Sequence, residues 1–272
     1  MATETSAAQQ FLKLHHEPEA FVMPNPWDVG SARILAGMGY PALATSSQAY
    51  AFTQGYEDGH VERDQMLEHC ADVVAAVDVP VSADLEQGYG DTAAQVADTY
   101  RLAAAIGLAG ASIEDFSGTS LFEVAEAVAR VEAAVDGIGS ATKPFVLTAR
   151  AEGFLRGKPD LGDVIERLNR YAEAGANVLY APGLPDIQAL QTLCAEVNLP
   201  VNALVVGSLT QHSVAQLAQA GAVRLSVGSM LSRHVLGQLV QAARETIEQG
   251  SFNWTEQIGA GPQIDGVMRT LV

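Results

Sequence analysis

The feature of this sequence that most constrains its fold is a regular alternation of short apolar segments with longer amphipathic ones. Eight short segments are rich in β-branched residues, and each is followed by a stretch with helical periodicity. The short segments span residues 20–23, 41–45, 79–84, 110–114, 145–149, 177–181, 200–204 and 223–227. The helical stretches span residues 28–38, 62–77, 92–106, 121–135, 161–174, 186–197, 211–220 and 229–249. Repeated strand–helix units of this kind are typical of a parallel β-sheet.

Eight such units favour a closed (β/α)8 TIM barrel over an open, doubly wound sheet. No G-x-G-x-x-G motif follows the first strand, so nothing indicates a dinucleotide site of the open-sheet type. A chain of 272 residues with 48% hydrophobic content can bury one large core, and barrels of this length are usually single domains. We therefore predict one barrel domain over residues 1–272, with a helical tail from about residue 229.

The charge balance bears on the kind of partner. The chain has 32 acidic residues against 15 basic ones, which gives a formal net charge of −17. Such a charge works against binding nucleic acid or an anionic membrane, because both depend on neutralising phosphates. Residues 1–10 lack a signal-peptide pattern, and no apolar run reaches the roughly 18 residues of a spanning helix. We expect a cytoplasmic protein whose partner is a small molecule.

Three acidic residues occur at the predicted ends of neighbouring strands. In a TIM barrel the active face lies at the C-terminal ends of the strands. Asp84 and Glu86 are two residues apart and should face the same side, and Glu114 ends the adjacent strand. Such a group of carboxylates repels itself unless a cation lies between them. Oxygen ligands without histidine or cysteine predict Mg2+, with Mn2+ as an alternative, although an Asp-Leu-Glu segment alone is often a solvated acidic pair.

The next strand end carries Arg150, which has two interpretations. Its guanidinium could bind a substrate carboxylate through two hydrogen bonds, or it could neutralise Glu152 or Glu114 as a structural ion pair. The Gly88-Tyr89-Gly90 turn lets the backbone approach whatever the metal holds.

These segments together resemble the isocitrate lyase and phosphoenolpyruvate mutase superfamily, from about residue 21 to about residue 243. Asp84-Leu85-Glu86-Gln87-Gly88-Tyr89-Gly90 is similar to the metal-binding loop of that superfamily. Ser112-Ile113-Glu114-Asp115 and Thr148-Ala149-Arg150 match its next two strand ends in order and spacing. The resemblance implies a barrel whose last helix is exchanged between subunits of a homodimer or homotetramer.

The resemblance also implies further residues of the substrate site. Asp58 would lie near the metal and Trp27 against the substrate, while a serine-rich segment after the second strand would hold the substrate carboxylate. The substrate-binding residues implied in this way are Trp27, Thr45, Ser46, Ser47, Arg150 and Asn202. Three of these roles have structural alternatives: Asp58 as an exposed loop acid, Trp27 as a cover for the barrel end, and Asn202 as a strand-end cap.

The sequence departs from the superfamily pattern after the fourth strand. Lyases of this superfamily carry a K-[KR]-C-G-H loop whose cysteine is the catalytic acid, whereas residues 115–122 here contain no cysteine, lysine or histidine. The longer basic loop of the mutases and hydrolases is also missing. We therefore expect the chemistry to depend on the metal, Arg150, Asp58, and Tyr89 or a bound water.

These observations predict a Mg2+-dependent lyase. It would act on a small 2-oxo or 2-hydroxy acid through an enolate, by carbon–carbon bond cleavage or decarboxylation. Two alternatives remain open from the sequence. One is a phosphorus–carbon bond mutase or hydrolase acting on phosphonopyruvate, and the other is a barrel that binds 2-oxo acids without turning them over.

Overall fold

The computed structural model of the protein describes residues 6–139, 144–259 and 261–269, and its centre is one sheet of eight parallel strands. The strands are β1 Phe21–Val22, β2 Leu43–Ala44, β3 Val81–Asp84, β4 Gly110–Glu114, β5 Val146–Arg150, β6 Val178–Tyr180, β7 Val201–Leu204 and β8 Ala222–Ser226. Their spatial order is β1-β8-β7-β6-β5-β4-β3-β2. The Ala44 amide donates to the Pro24 carbonyl at 3.1 Å, which links the two ends of the sheet. The predicted TIM barrel is confirmed.

Helices surround the strands and alternate with them along the chain. They are α1 Ala7–Leu14, α2 Val29–Gly37, α3 Ser47–Thr53, α4 Arg63–Ala76, α5 Ala93–Ala105, α6 Val124–Ile138, α7 Leu161–Glu173, α8 Ile187–Glu196, α9 Val214–Gln219, α10 Met230–Gln249 and α11 Gly261–Arg269. The eight predicted helical stretches each contain a helix. The sequence interpretation missed α1, α3 and α11, and it placed the start of α9 too early, because a 3-10 helix occupies Gly207–Gln211.

Helix α1 lies against the N-terminal ends of the strands and closes that end of the barrel. Ser6 and Gln9 form a capping box that starts the helix. The Phe11 side chain is completely buried and meets the Phe21 ring edge to face at 6.4 Å. A Cβ on Gly110 would approach Phe11 to 2.9 Å, so the start of β4 needs glycine for this helix to dock. We call this end of the barrel the base.

The last helices behave differently from the others. In α10, Ser232 is the buried residue among those described, while several large apolar side chains are exposed. Those on α10 are Met230, Leu231, Val235, Leu236, Leu239, Val240 and Ile247. Helix α11 packs on α2, where Gly37 lies so close to the Val267 carbonyl that a Cβ would come within 2.6 Å of its oxygen. Among the helices that the structure describes, none has the length and apolarity needed to cross a membrane.

Candidate active site

A cavity of about 880 Å³ opens at the C-terminal ends of the strands, and we call this end the mouth. Most of the predicted site residues line it together, although they come from five different strands or the loops after them. Those that line it are Thr45, Ser46, Ser47, Asp58, Asp84, Glu86, Glu114, Arg150 and Asn202. Trp27 and Tyr89 are not among the lining residues. The fold thus brings nine of the predicted residues to one cavity.

Arg150 is the centre of an ion-pair cluster at the mouth. Its Nη1 donates to Asp84 Oδ1 at 2.9 Å, its Nη2 lies 3.1 Å from Glu114 Oε2, and Nη2 also donates to Glu152 Oε1 at 2.8 Å. The guanidinium also lies over the ring of Tyr180, 5.1 Å from its centroid. One partly buried guanidinium therefore pairs with three carboxylates. The ion pairs with Glu152 and Glu114 are those of the structural interpretation of Arg150.

The serine-rich segment after β2 holds Asp84. The Ser47 amide and hydroxyl both donate to Asp84 Oδ2, at 3.2 and 2.9 Å, and the Asp84 amide donates to Thr45 Oγ1 at 3.1 Å. Ser46 caps α3 by accepting from the Ala49 amide at 3.3 Å. All three hydroxyl side chains are buried and line the cavity, and those of Thr45 and Ser47 fix the position of Asp84.

Glu86 lies in a tight turn directly after β3. Glu86 and Tyr89 both have positive φ angles, 48° and 52°, which is uncommon for residues other than glycine. The Tyr89 hydroxyl donates to Glu86 Oε1 at 3.0 Å. Desolvation, together with the nearby charge of Asp84, raises the pKa of Glu86 to about 7. The turn therefore presents a carboxylate to the cavity that carries a poorly compensated charge when ionised.

The three predicted metal ligands fit a hard divalent cation by their chemistry. They supply only oxygen donors, line the same cavity, and include a carboxyl group, Glu86, whose pKa is raised by desolvation and further by its like-charged neighbour. Desolvation also raises the pKa of Glu114 well above its usual range, against the effect of Arg150. Within the described ranges, however, no three such side chains already converge as metal ligands. Arg150 lies between Asp84 and Glu114, and its guanidinium supplies the positive charge there that a metal ion would otherwise supply.

Asp58 lies at the rim of the cavity, on the loop between α3 and α4. Gln48 Nε2 donates to its Oδ2 at 3.2 Å, and the Ser229 hydroxyl donates to Gln48 Oε1. Desolvation is the main cause that raises the pKa of Asp58, and the charge of Asp84 adds to it. Asp58 is exposed to solvent, as the interpretation of a loop acid expects, and it also lines the cavity.

The loop after β4, which departs from the superfamily pattern, forms a short hairpin. Phe116 and Leu121 pair as an antiparallel bridge, and the Ser117 amide donates to the Ser120 carbonyl at 2.9 Å. The guanidinium of Arg156 stacks on the Phe116 ring at 3.8 Å from its centroid. Residues 116–119 line the cavity, so the hairpin forms part of its wall.

A buried network behind the mouth supports Arg150. Asp115 accepts from Arg167 Nη1 at 3.1 Å and from the Tyr171 hydroxyl at 2.7 Å, and its other oxygen accepts from the Glu152 amide at 2.8 Å. Glu152 in turn holds Arg150. The network ties the ends of β4 and β5 to α7, so it fixes the positions of the ion-paired side chains.

The floor of the cavity is made by β7 and β8. Asn202 Nδ2 donates to the Ser226 hydroxyl at 2.9 Å, and Asn202 Oδ1 accepts from Arg224 Nε at 2.9 Å. All three residues are buried and line the cavity. Asn202 therefore lies at the cavity, as the resemblance implies, and its amide connects two side chains of β8.

Sequence reasoning missed several residues of this cavity. Ser112 lies two positions before Glu114 and Arg224 two before Ser226, so period-two alternation could have placed both on inward faces. No local pattern indicates Asn25, whose amide bonds the Thr45 carbonyl at 3.2 Å and the Gly228 amide at 2.8 Å. Gln48, on α3, and Arg156, in the loop after β5, likewise reach the cavity only through the tertiary fold.

Comparison with known proteins gives consistent matches. The phosphoenolpyruvate phosphomutase family profile matches residues 11–247. An uncharacterized protein of Mycobacterium tuberculosis strain H37Rv is 34% identical over 235 residues, which cover 86% of this chain and 87% of that protein. The 2-methylisocitrate lyase of Halalkalibacterium halodurans is 25% identical, over 82% of this chain and 74% of the lyase. A crystal structure from Burkholderia cenocepacia J2315, of a protein classed as a lyase or mutase, superposes with a TM-score of 0.92 at 46% identity, over 96% and 95% of the two chains.

Proposed function

Because the chain belongs to the phosphoenolpyruvate phosphomutase family, within the isocitrate lyase superfamily, we propose that it is a Mg2+-dependent lyase. Its substrate would be a small 2-oxo or 2-hydroxy di-acid, cleaved at a carbon–carbon bond or decarboxylated through an enolate. The observation that carries this proposal is that Asp84, Glu86 and Glu114 line one cavity, where Arg150 pairs with Asp84 and Glu114. Relatives that include a 2-methylisocitrate lyase support carbon–carbon chemistry.

Asp84, Glu86 and Glu114 would hold the metal. A bound divalent cation would supply positive charge that stabilises the developing oxyanion of the enolate. Ser47 and Thr45 keep Asp84 in place through the hydrogen bonds described above. Tyr89 acts through Glu86 in this proposal, because its hydroxyl is bonded to that carboxylate.

Arg150 changes partners in this proposal. When Asp84 and Glu114 become metal ligands, both Nη atoms of Arg150 lose an ion-pair partner. Glu152 keeps the guanidinium in place through hydrogen bonds from Nε and Nη2, at 3.0 and 2.8 Å. Arg150 is then available to a substrate carboxylate. The two interpretations of this residue therefore describe two states of the same site.

Asp58 is the proton carrier that we propose. Because its pKa is raised, Asp58 stays protonated to a higher pH than an ordinary aspartate does. Gln48 orients the carboxyl group towards the cavity. We further propose that Trp27, outside the lining residues, covers the edge of the bound substrate.

The test is turnover of a panel of 2-oxo and 2-hydroxy acids, with Mg2+ and with EDTA. Asp84→Asn should lower metal-dependent kcat by a factor of about 100 or more, because one ligand and one ion-pair partner of Arg150 are weakened together. Asp98→Asn, on the outer face of α5, is the matched control and should leave turnover unchanged. Full activity in EDTA, or in Asp84→Asn, would refute the metal assignment.

The family description favours one second candidate, phosphorus–carbon chemistry on phosphonopyruvate. Phosphorus NMR with that compound in the same panel distinguishes the two. A shift of the phosphonate signal to phosphoenolpyruvate or inorganic phosphate would favour the second candidate. Tight binding of oxalate with no turnover anywhere in the panel would indicate a barrel that only binds such acids.

We also propose that α10 packs against a second copy of the chain. The helix is exposed on several faces and carries seven large apolar side chains that contact solvent. Burial of such a surface is the expected fate of an apolar helix face. A monomer mass in light scattering at micromolar concentration would contradict this assembly.

A further inference from the structure

Arg224 is a buried cation that has no anionic partner in the part of the chain that the structure describes. Its residue is 3% exposed, and none of the ion pairs within the described ranges involves it. Its hydrogen bonds go to neutral atoms: Nε to Asn202 Oδ1 at 2.9 Å, Nη2 to Thr148 Oγ1 at 2.9 Å, and Nη1 to His15 Nε2 at 3.1 Å. Buried charges are ordinarily paired with an opposite charge. Arg224 therefore needs an explanation.

His15 cannot supply the missing charge. Its Nδ1 bonds the Phe11 carbonyl at 2.8 Å, so Nδ1 carries the proton and Nε2 accepts from Arg224. The ring is neutral in this arrangement. Desolvation lowers the pKa of His15 to about 3, and the charge of Arg224 adds to that effect.

The position of Arg224 relates it to the cavity. It lies two residues before Ser226, the last residue of β8, so its side chain occupies the layer directly below Ser226 on the same face. Arg224, Ser226 and Asn202 all line the cavity, whereas Thr148 and His15 do not. Each Nη atom donates one hydrogen bond, which leaves one further N–H on each without an acceptor in the described part of the chain. The cation therefore lies between the base of the barrel and the cavity floor.

The cations at the mouth are in a different situation. Arg150 has three carboxylate neighbours, and Arg156 lies 3.8 Å from Glu114 and 3.5 Å from Glu152. Arg233 is exposed at the rim. An anionic group that enters the cavity therefore meets acids at the mouth and a net positive charge at the floor.

We propose that Arg224, with Asn202 and Ser226 beside it, binds the second carboxylate of the substrate at the cavity floor. This contact makes the site selective for dianions over monoanions. This inference rests on the proposed function, because it assigns one end of the di-acid to the mouth and the other to the floor. A carboxylate next to Arg224 would gain a charge-assisted hydrogen bond and compensate the buried guanidinium. The same ligand with a methyl group in that place would leave the guanidinium uncompensated.

The test compares 2-oxo acids that differ only in that end group, in the presence of Mg2+. The pairs are oxaloacetate with 2-oxobutyrate, and 2-oxoglutarate with 2-oxovalerate. Dissociation constants from thermal-shift titration give a dianion-to-monoanion ratio for each protein, and the ratio of kcat/KM replaces it for a pair that is turned over. The wild-type protein should prefer one or both dianions.

Asn202→Asp is the decisive variant, because it places a carboxylate beside Arg224 without changing the shape of the residue. Because of the new ion pair, the melting temperature should stay the same or rise. Dianion binding should weaken by about tenfold or more, and monoanion binding should weaken by much less. Arg224→Gln should give the same loss, and Arg224→Lys should retain part of the preference. Thr148→Val removes one hydrogen bond on the side away from the cavity and should keep the wild-type ratio.

The possible results separate the two proposals. If the wild-type protein binds neither member of either pair with Mg2+, the proposed function fails and this inference fails with it. If 2-oxo acids bind in a metal-dependent way but Asn202→Asp keeps the wild-type ratio, only the assignment of Arg224 is wrong. If the dianion-to-monoanion ratio is lost in Arg156→Gln and kept in Asn202→Asp, the selectivity arises at the mouth, and the assignment of Arg224 is again wrong. If Arg224→Gln does not fold, Asn202→Asp and Arg224→Lys still decide.

Discussion

The mouth and the floor of the barrel each hold an arginine, partly buried at the mouth and buried at the floor, and the two guanidinium groups have opposite surroundings. At the mouth, Arg150 has carboxylates on three sides. At the floor, Arg224 donates to an amide, a hydroxyl and an imidazole, and to no carboxylate of the described residues. Arg150 offsets the charge of carboxylates that the fold brings together, whereas the charge of Arg224 is available to an anionic ligand.

This difference shows that burial alone does not decide what a charged residue does. A buried ion pair is self-contained and can exchange one partner for a metal ion, because the acids remain when Arg150 moves. A buried cation with neutral partners has an unfavourable desolvation free energy that a ligand can offset. The two ends of the cavity are therefore suited to different parts of one small di-acid.

The largest expected effect compares the two arginines directly. Arg150→Met should lower the free energy of unfolding by about 3–5 kcal/mol, because it removes the close cationic partner of two buried carboxylates, Glu114 and Glu152, and of the partly buried Asp84. Arg224→Met should cost about 1–3 kcal/mol, because it leaves neutral acceptors without a donor while it removes a desolvated charge. Urea unfolding at neutral pH in EDTA measures both. Equal losses, or a greater loss for Arg224→Met, would break the distinction between the two ends.

The second prediction concerns the pH dependence of the mouth in metal-free protein. The pKa of Glu86 is raised to about 7 from its ordinary value of 4.5, so the folded state binds the proton more tightly than the unfolded state. The stability from this group is fully present below pH 4.5 and is lost as the pH rises through 7. Glu86→Gln removes this dependence.

The stability of Glu86→Gln relative to wild type should therefore rise by on the order of 2 kcal/mol between pH 4.5 and 8, since one pH unit corresponds to about 1.4 kcal/mol and the carboxyl group is partly solvated. Unfolding curves in EDTA across this range measure it. Glu132→Gln, at an exposed position of α6, should show no such trend. A flat difference for Glu86→Gln would mean that the carboxyl group is not desolvated.

The third prediction has the opposite sign and applies to the base. Burial lowers the pKa of His15 to about 3 from 6.5, so the unfolded state binds the proton more tightly. The stability from neutral His15 is present above pH 6.5 and is lost as the pH falls below that value. His15→Gln keeps a side-chain acceptor for Arg224 and does not titrate.

The free energy of unfolding of His15→Gln, relative to that of the wild type, should be about 1–2 kcal/mol higher at pH 5 than at pH 7.5. The same substitution at exposed His16 should leave the acid-induced loss in place. Thermal unfolding over this pH range measures the difference. A loss of stability at pH 5 that is unchanged in His15→Gln would indicate that α1 does not seal the base of the barrel.

Much of the mouth could be predicted from the sequence because its residues follow strands in a regular way. Asp84, Glu114 and Arg150 end consecutive strands, and the C-terminal ends of barrel strands always meet at one face. The ion pairs among them were one of two open interpretations, because a sequence gives the direction of a side chain but not the distance between charges on different strands. The position of Asp58 was available only from the superfamily resemblance, since nothing in its loop distinguishes it from a solvated acid.

The floor could not be predicted in the same way. Arg224 is a charged residue in the middle of a strand, and local pattern alone places it on an inward face without saying what it meets there. Its partners come from β5, β7 and α1, separated from it by as many as 209 positions along the chain. Helix α1 was not predicted at all, although Phe11 of that helix and His15 directly after it close the base.

The sequence by itself determined the eight-fold alternation of strand and helix, and with it the end of the barrel at which polar side chains collect. Only the tertiary structure decided which of those side chains neutralise one another and which charge is left unmatched. The physical reason is that strand periodicity is a local property of the chain, whereas the balance of charge in a buried cavity depends on distances between residues that are far apart in sequence.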